Sequence, residues 1–370
     1  MVKSGLGERL GYRAMSWFGR SSLGLSYSIF AVDAVIAPAF LSTTARSGVL
    51  YRLVSSMAAA AGATRDRQDR RRFGRFLMFS GMASLTLSSA LWLTAMAGNP
   101  LGAQIAAESG VRIGFASWLV ASSGPTIVAM IVVPFVLYKL VKPEVTAMPN
   151  APAEARAKLA ALGPLTREQK IVGFTSLGMV VLWAMASTLG LDSTAVAFLG
   201  LGVLLGTGVL TATDIAKEGE VLSTFIWFAL LFTMSDQLNR LGFTEFLGER
   251  LVVRLGGLPV PVVAVVLIVT YVALHYLFVS QTAHLLALFA LFLSVGMKLG
   301  VSGPVLAHQL LCATNYFAAI TPQGSSANLL FVSSGYLTQR ELYKMGALYT
   351  AFCVVLYLVI GTPWLMLLAR

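Results

Sequence analysis

Long apolar runs, separated by short polar or basic segments, make up most of the chain. A helix needs about 20 apolar residues to cross the hydrocarbon core of a bilayer, and many of the runs approach that length. Each run therefore predicts a membrane helix. The runs lie at 76–97, 117–141, 170–188, 194–212, 222–238, 261–279, 283–299, 302–320 and 342–368.

The overall composition agrees with this pattern. Of the 370 residues, 57% are hydrophobic and only 12% are charged, and the mean hydropathy is +0.78. Soluble domains carry roughly 25% charged residues, and a water-soluble fold of this composition would expose too much apolar surface. The sequence therefore predicts an all-α integral membrane protein that crosses the bilayer several times.

The positive charge lies mainly in short loops. The formal net charge is +11, and the most basic segments are at 64–72 and 139–170. Basic loops beside apolar spans mark the cytoplasmic side and are attracted to anionic lipid headgroups. We therefore expect membrane lipid, and not nucleic acid, to face these residues.

Three segments of the first part of the chain recur, in the same order, in the last part. The pairs are 6–10 with 247–251, 40–46 with 278–284, and 93–100 with 319–325. The first pair is the same pentapeptide, Leu-Gly-Glu-Arg-Leu. An ordered set of matches is the signature of internal repetition, so the chain is predicted to contain two homologous halves.

The repeats divide the chain into four parts. These are a first repeat at 1–141, a cytoplasmic linker at 142–168, connecting spans at 169–220 and a second repeat at 221–370. Counting crossings from the basic loop at 64–72 places 6–10 inside and 247–251 outside, which predicts inverted repeats. Arg240, Arg250 and Arg254 would then be external, against the usual bias of basic residues.

Each repeat contains an apolar pair of segments interrupted by a polar turn. The predicted re-entrant hairpins are 26–62, with the turn Ser42-Thr43-Thr44, and 259–299, with the turn Ser280-Gln281-Thr282. Non-helical backbone at membrane depth survives only where it is buried in protein or lines a wet cavity. A helix that starts there presents free N–H groups to an anion. The alternative is that the hydroxyls only cap helices.

Helix-disrupting residues also recur in the span after each hairpin. They are Gly98-Asn99-Pro100 and Thr321-Pro322-Gln323-Gly324. Paired interruptions at matching positions of two halves point to a transport site. We expect one small anion to bind between the two turns and the two broken spans. The hydroxyl and carbonyl oxygens there would also suit Na⁺ as a coupling ion.

The candidate site follows from these motifs. The residues predicted to bind the anion are Ser42, Thr43, Thr44, Arg46, Ser280, Gln281, Thr282, Thr321 and Pro322. The residues predicted to bind Na⁺, if transport is sodium-coupled, are Ser42, Thr43, Gly98, Asn99, Ser280, Gln281 and Gly324. Arg46 has three interpretations: a bidentate pair with a substrate carboxylate, a structural pair with Asp33, or extension to the membrane interface.

These residues resemble the signatures of the divalent anion:sodium symporter family of anion permeases. The first signature is carried by Asp33 and by 37–39 and 42–46, and the second by 275–284. Within the family they most resemble citrate/succinate-type antiporters and plastid 2-oxoglutarate/malate translocators. The resemblance implies a homodimer that transports di- or tricarboxylates by anion exchange or Na⁺ symport, and we expect it in a bacterial inner membrane.

Two departures from the family pattern qualify this expectation. Both turns in the family typically read Ser-Asn-Thr, whereas Thr43 and Gln281 occupy the central positions here. Sodium-independent exchange is therefore at least as well supported as symport. Family members also usually have two or three spans before the region matching 6–10, so we expect an N-terminally truncated chain or a reduced member.

The sequence bears on three other functions. An arsenite-type permease for inorganic anions and a non-transporting fragment remain alternatives. An enzyme is not expected, because the sequence has no paired carboxylates, no His-x-x-x-His spacing and no Gly-rich phosphate loop with Lys. No metal site or cofactor is predicted apart from Na⁺ as a coupling ion.

Overall fold

The structure is a computed structural model, and it describes residues 3–60, 63, 68–217, 226, 229–230, 233–234, 237–238 and 240–368. Regular structure in this part of the chain is helical, which confirms the predicted class; one isolated antiparallel bridge joins Ser21 and Ala147. The run predicted as a span at 222–238 lies largely outside the described residues.

The described α-helices are numbered here in chain order. They are α1 (Leu6–Phe18), α2 (Ser22–Ile36), α3 (Thr43–Ala60), α4 (Gln68–Leu91), α5 (Gly98–Glu108), α6 (Phe115–Val141), α7 (Ala151–Ala161), α8 (Arg167–Ala184), α9 (Ala186–Leu189), α10 (Ser193–Gly206), α11 (Ala212–Lys217), α12 (Phe243–Leu255), α13 (Val260–Leu274), α14 (Gln281–Lys298), α15 (Gly303–Tyr316), α16 (Asn328–Val332), α17 (Gln339–Leu356) and α18 (Thr362–Leu368). Short 3₁₀ segments lie at Ala37–Ala39, Leu93–Ala95, His275–Leu277 and Phe317–Ala319, and a π-helical turn lies at Tyr357–Gly361.

Several helical stretches suit the interior of a bilayer. Five stretches among the described residues are long and apolar enough to cross one: Ser22–Ala39, Phe115–Val141, Val260–Leu277, Gln281–Lys298 and Gln339–Leu368. The exposed side chains of α6 include Ile127, Ile131 and Phe135, which water would not favour and lipid does. These helices fit the predicted integral membrane protein.

The opening elements of the two halves have the same order and the same lengths. α2 and α13 each have 15 residues, a three-residue 3₁₀ segment follows each, and α3 and α14 each have 18 residues. α1 and α12 both have 13 residues and follow glycines with positive φ, Gly5 at 71° and Gly242 at 76°. Side chains disfavour that backbone conformation, so glycine is suited to both positions.

The repeated pentapeptide does not have the same register in the two helices. It starts α1 at Leu6, but in α12 it begins at Leu247, one helical turn after the start at Phe243. The lengths of the helices therefore define the correspondence of the halves better than this sequence match does.

Helix α4 lies at the centre of the fold. It packs against α2, α3, α6 and α15, and Phe76, Phe79 and Met82 on it are fully buried. Lipid tails are as apolar as these side chains, so hydrophobic burial does not favour helix association within the bilayer. Close packing and interhelical hydrogen bonds therefore hold the helices together.

The segment 142–168, predicted as a solvated linker, is partly docked on the first half. α7 packs against α1 and buries Ala155, and the Arg9 guanidinium donates to the carbonyls of Leu162, Gly163 and Pro164 at 2.8–3.3 Å. The linker therefore fixes the position of α1 as well as connecting two parts of the chain.

Gly346 on α17 allows a close approach of two backbones. A Cβ atom at this position would lie 2.1 Å from the Ala319 carbonyl oxygen. We predict that Gly346→Ala lowers the free energy of unfolding by about 1–3 kcal/mol through overpacking. Gly178→Ala on α8 is the control, because nothing lies within 4 Å of its Cβ position. Thermal unfolding in detergent measures both, and equal midpoints would contradict the prediction.

Candidate functional site

The first polar turn is capped by its serine. The hydroxyl of Ser42 accepts a hydrogen bond from the backbone N–H of Ala45 at 3.2 Å, and α3 begins at the next residue. Thr43 and Thr44 therefore lie in the first helical turn. The polar turn predicted at Ser42-Thr43-Thr44 is therefore shorter than the three residues, because the serine cap lets the helix start directly after Ser42.

The second turn has the same arrangement. The hydroxyl of Ser280 accepts from the backbone N–H of Ala283 at 3.4 Å, and α14 begins at Gln281. The Gln281 amide donates to the backbone carbonyl of Thr314 at 2.9 Å, and Thr282 is buried. Ser42 and Ser280 are both exposed, so each turn presents the start of a helix together with an accessible hydroxyl.

The first broken span is non-helical just before the predicted residues. α4 ends at Leu91, and Gly98 and Asn99 begin α5. The side-chain amide of fully buried Asn99 donates to the carbonyls of Ser89 at 2.9 Å and Trp92 at 3.2 Å. Asn99 therefore satisfies carbonyls that the ending helix leaves free.

In the second broken span an asparagine side chain likewise donates to two backbone carbonyls. Asn328 donates to the carbonyls of Ala318 at 2.7 Å and Thr321 at 3.1 Å, ten and seven residues before it, which is the spacing found at Asn99. Thr321 to Gly324 lie in the non-helical segment between the 3₁₀ turn and α16, as predicted. Asn328 was not predicted, although comparing the two breaks in sequence would have paired it with Asn99.

Arg46 is fully buried and forms an ion pair with Asp33 at 3.2 Å. Its guanidinium also donates to the carbonyls of Leu85 at 2.9 Å and Ala95 at 3.1 Å and to the hydroxyl of Ser89 at 2.5 Å. Of the three interpretations, this structure shows the pair with Asp33. Direct binding of substrate by Arg46 stays a prediction.

In the second hairpin a histidine, His284, occupies the position that corresponds to Arg46. Arg46 and His284 are both the fourth residue of their helices, and Asp33 and Tyr271 are both the twelfth residue of the preceding ones. The rings of His284 and Tyr271 are 4.4 Å apart and nearly perpendicular. An aromatic pair therefore replaces the ion pair.

A second histidine connects this hairpin to the second broken span. A ring nitrogen of His275, Nε2, lies 3.0 Å from the Gly324 carbonyl, so it carries the proton and donates. The ring of His275 also stacks on Phe317, with centroids 3.8 Å apart. The Gly324 carbonyl, like that of Ala95 in the first half, is thus held by a side chain of the hairpin.

Contacts across the halves bring the turns and breaks together. Thr44 in the first turn shares a 2.7 Å hydrogen bond with Ser326 after the second break. Conversely, the second turn lies beside the first break: Thr282 Oγ1 is 3.5 Å from the Cβ position of Gly98. Each turn therefore lies beside the broken span of the other half as well as its own.

A pair of asparagines joins the first break to α15. Asn315 donates to the side-chain oxygen of Asn99 at 2.9 Å, and both residues are fully buried. Neither Asn315 nor Ser326 was predicted, because a single polar residue in an apolar run gives no sign of its partner. Pro322, which was predicted, lies partly buried in the second break.

This arrangement of apolar helices, polar turns and broken spans is that of an integral membrane protein. The family described as "Sodium:sulfate symporter transmembrane region" matches residues 1–370. The chain belongs to this family, which confirms the resemblance seen in the two turns.

Several characterised proteins are similar to the chain over most of its length. It is 36% identical to dicarboxylate transporter 2, chloroplastic, of Spinacia oleracea and 37% identical to dicarboxylate transporter 2.1, chloroplastic, of Arabidopsis thaliana. Each match covers 98% of this chain and 65% of the relative, so the chain spans less than two thirds of their length. It is 27% identical to the citrate/succinate antiporter of Escherichia coli K12, over 97% of the chain and 74% of the relative.

The Arg46–Asp33 pair generates a prediction about stability. We predict that Asp33→Asn lowers the free energy of unfolding by about 3–5 kcal/mol, because the buried guanidinium loses its counter-charge. The double variant Asp33→Asn/Arg46→Met recovers part of the loss, since it removes the unpaired charge.

The control for this prediction is the pair of Lys3 and Asp214, whose atoms are 2.7 Å apart at an exposed position. Asp214→Asn changes stability little, because exposed ion pairs contribute little. Thermal unfolding in detergent compares the three variants. Equal losses for Asp33→Asn and Asp214→Asn would show that burial of the first pair is unimportant.

Proposed function

We propose that this chain carries the substrate site of a secondary transporter for di- and tricarboxylates, of the succinate, malate, 2-oxoglutarate and citrate class. The observation that carries the proposal is the convergence of two capped turns and two broken spans from both halves. Thr44 with Ser326, and Thr282 with Gly98, are the contacts that support it. The plant relatives are named as dicarboxylate transporters and the bacterial relative as a citrate/succinate antiporter, which agrees with this class of anion.

The chemistry of the turns suits carboxylates. A carboxylate accepts hydrogen bonds, and each turn offers hydroxyl donors together with the positive end of a helix dipole. Two turns facing one anion could bind its two carboxylates separately.

We further propose that transport is anion exchange without Na⁺. A sodium ion would need several free oxygen ligands, but the carbonyls of Trp92 and Ala95 in the first break already accept from side chains. The Gln281 side chain is also fixed in place, because its amide nitrogen donates to the Thr314 carbonyl. Na⁺ symport is the alternative, and uptake measured with and without a Na⁺ gradient distinguishes it from exchange.

The transport cycle would follow from the repeated architecture. We propose that the two hairpins are re-entrant, that the two halves are inverted repeats, and that hairpins and broken spans move together to expose one site alternately to each side. Such motion requires no covalent step, only two conformations with comparable free energies. The protein would act as a homodimer in a bacterial inner membrane, surrounded by lipid.

Uptake into proteoliposomes tests the proposal. Labelled succinate, malate, 2-oxoglutarate and citrate are supplied with and without internal unlabelled dicarboxylate, and with and without a Na⁺ gradient. We expect uptake that requires internal anion and is independent of Na⁺. Ser42→Ala/Ser280→Ala should lower uptake by about tenfold or more, because each turn loses a hydroxyl and its helix cap.

Ser123→Ala is the matched control, since the Ser123 hydroxyl only donates to the Val120 carbonyl of its own helix. This variant should transport at the wild-type rate. Thermal unfolding of all variants separates loss of transport from loss of folding. Uptake that follows the Na⁺ gradient would replace exchange with symport, and no uptake of any acid by folded protein would refute the proposed function.

A further inference from the structure

The orientation of the Asn315 amide is fixed by a chain of hydrogen bonds. Asn99 must direct its NH₂ group toward the carbonyls of Ser89 and Trp92, which only accept. The oxygen of Asn99 therefore faces Asn315, and Asn315 must direct its own NH₂ group toward that oxygen. The second hydrogen of this NH₂ group bonds to the Leu311 carbonyl at 3.0 Å.

This chain of bonds leaves the side-chain oxygen of Asn315 on the opposite edge of the amide. The oxygen is buried and has no hydrogen-bond partner among the described residues. A flipped amide would place oxygen against the Asn99 oxygen and the Leu311 carbonyl, so the unpartnered atom is an acceptor. A buried acceptor without a partner is destabilising by about 1–3 kcal/mol, which makes a missing donor the natural explanation.

The position of Asn315 relates this acceptor to the substrate site. The residue lies between the second turn and the first break: its backbone carbonyl is 3.4 Å from the Gln281 amide, and its side chain contacts Asn99, the neighbour of Gly98. Gly98 in turn lies beside Thr282. A small anion held by the second turn would therefore lie next to Asn315.

The chemistry of this atom differs from that of the rest of the site. The Thr321 hydroxyl is also buried without a partner, but it can donate a hydrogen bond and so can bind a carboxylate. The Asn315 oxygen can only accept, and it would repel a carboxylate. A hydrogen-bond donor or a cation satisfies it, and because transport is proposed to be independent of Na⁺, we expect the partner to be a donor on the ligand.

We propose that Asn315 is a specificity-determining residue that accepts a hydrogen bond from a hydroxyl group on the carbon chain of the substrate. This inference rests on the proposed function and narrows its substrate class to hydroxy-dicarboxylates. Malate and succinate have the same four-carbon chain and the same two carboxylates, and they differ by one hydroxyl. A site that contains a buried group for that hydroxyl disfavours the analogue without it, because the group then stays unpaired.

Competition between these two anions tests the inference. Proteoliposomes loaded with malate take up labelled malate, and unlabelled external malate or succinate inhibits the uptake. We expect the half-inhibiting concentration of malate to be about tenfold lower than that of succinate, which is the effect of one satisfied hydrogen bond. Equal concentrations for the wild-type protein would overturn the inference and leave the proposed function intact.

Two variants assign the preference to one atom. Asn315→Leu removes the acceptor with little change in size, and it should bring the ratio of the two concentrations close to one. Gln309→Leu is the control: it removes another buried amide oxygen of α15 that has no partner among the described residues, but Gln309 bonds to Tyr357 and Thr362, which belong to neither turn and neither break. This variant should keep the preference for malate.

The remaining outcomes also decide the question. A preference that Asn315→Leu retains, or that Gln309→Leu also loses, would show that the Asn315 oxygen is not responsible. If Asn315→Leu does not fold, the wild-type ratio together with Gln309→Leu still tests the inference. Failure of the wild-type protein to transport either acid would refute the proposed function and this inference together.

Discussion

Backbone polar groups within a bilayer need partners inside the protein, and the rest of this structure depends on that constraint. Two apolar helical runs are interrupted, and side chains donate hydrogen bonds to the carbonyls that each interruption frees. Asn99 and Asn328 bridge the breaks themselves, while Arg46 and His275 reach them from the hairpins. Hydrogen bonds therefore stabilise both breaks and connect each of them to the hairpin of its own half.

Equal backbones in the two halves support different chemistry. The hairpins have helices of the same length and corresponding turns, yet one contains the ion pair of Arg46 and Asp33 and the other the ring contact of His284 and Tyr271. An ion pair needs close opposite charges, whereas aromatic rings tolerate small displacements without an unpaired charge. The first hairpin therefore has the more demanding geometry.

Much of the fold could be predicted from sequence, because apolar length alone defines membrane helices. The run at 117–141 agrees closely with α6, and the two turns stand out as polar interruptions. The starts of α3 and α14 were missed, since a serine cap shifts a helix start by only one or two residues. Asn315 could not be predicted, because its role depends on Asn99, which is distant in sequence.

The Asp33–Arg46 pair also constrains how the protein enters the membrane. Both charges belong to one hairpin, so they can neutralise each other as soon as the hairpin forms, and neither must enter lipid alone. The carbonyls and hydroxyl that complete the Arg46 environment come from Leu85 to Ala95, which are synthesised later. During biogenesis the first hairpin therefore stays incomplete until the ribosome has delivered α4 and the break behind it.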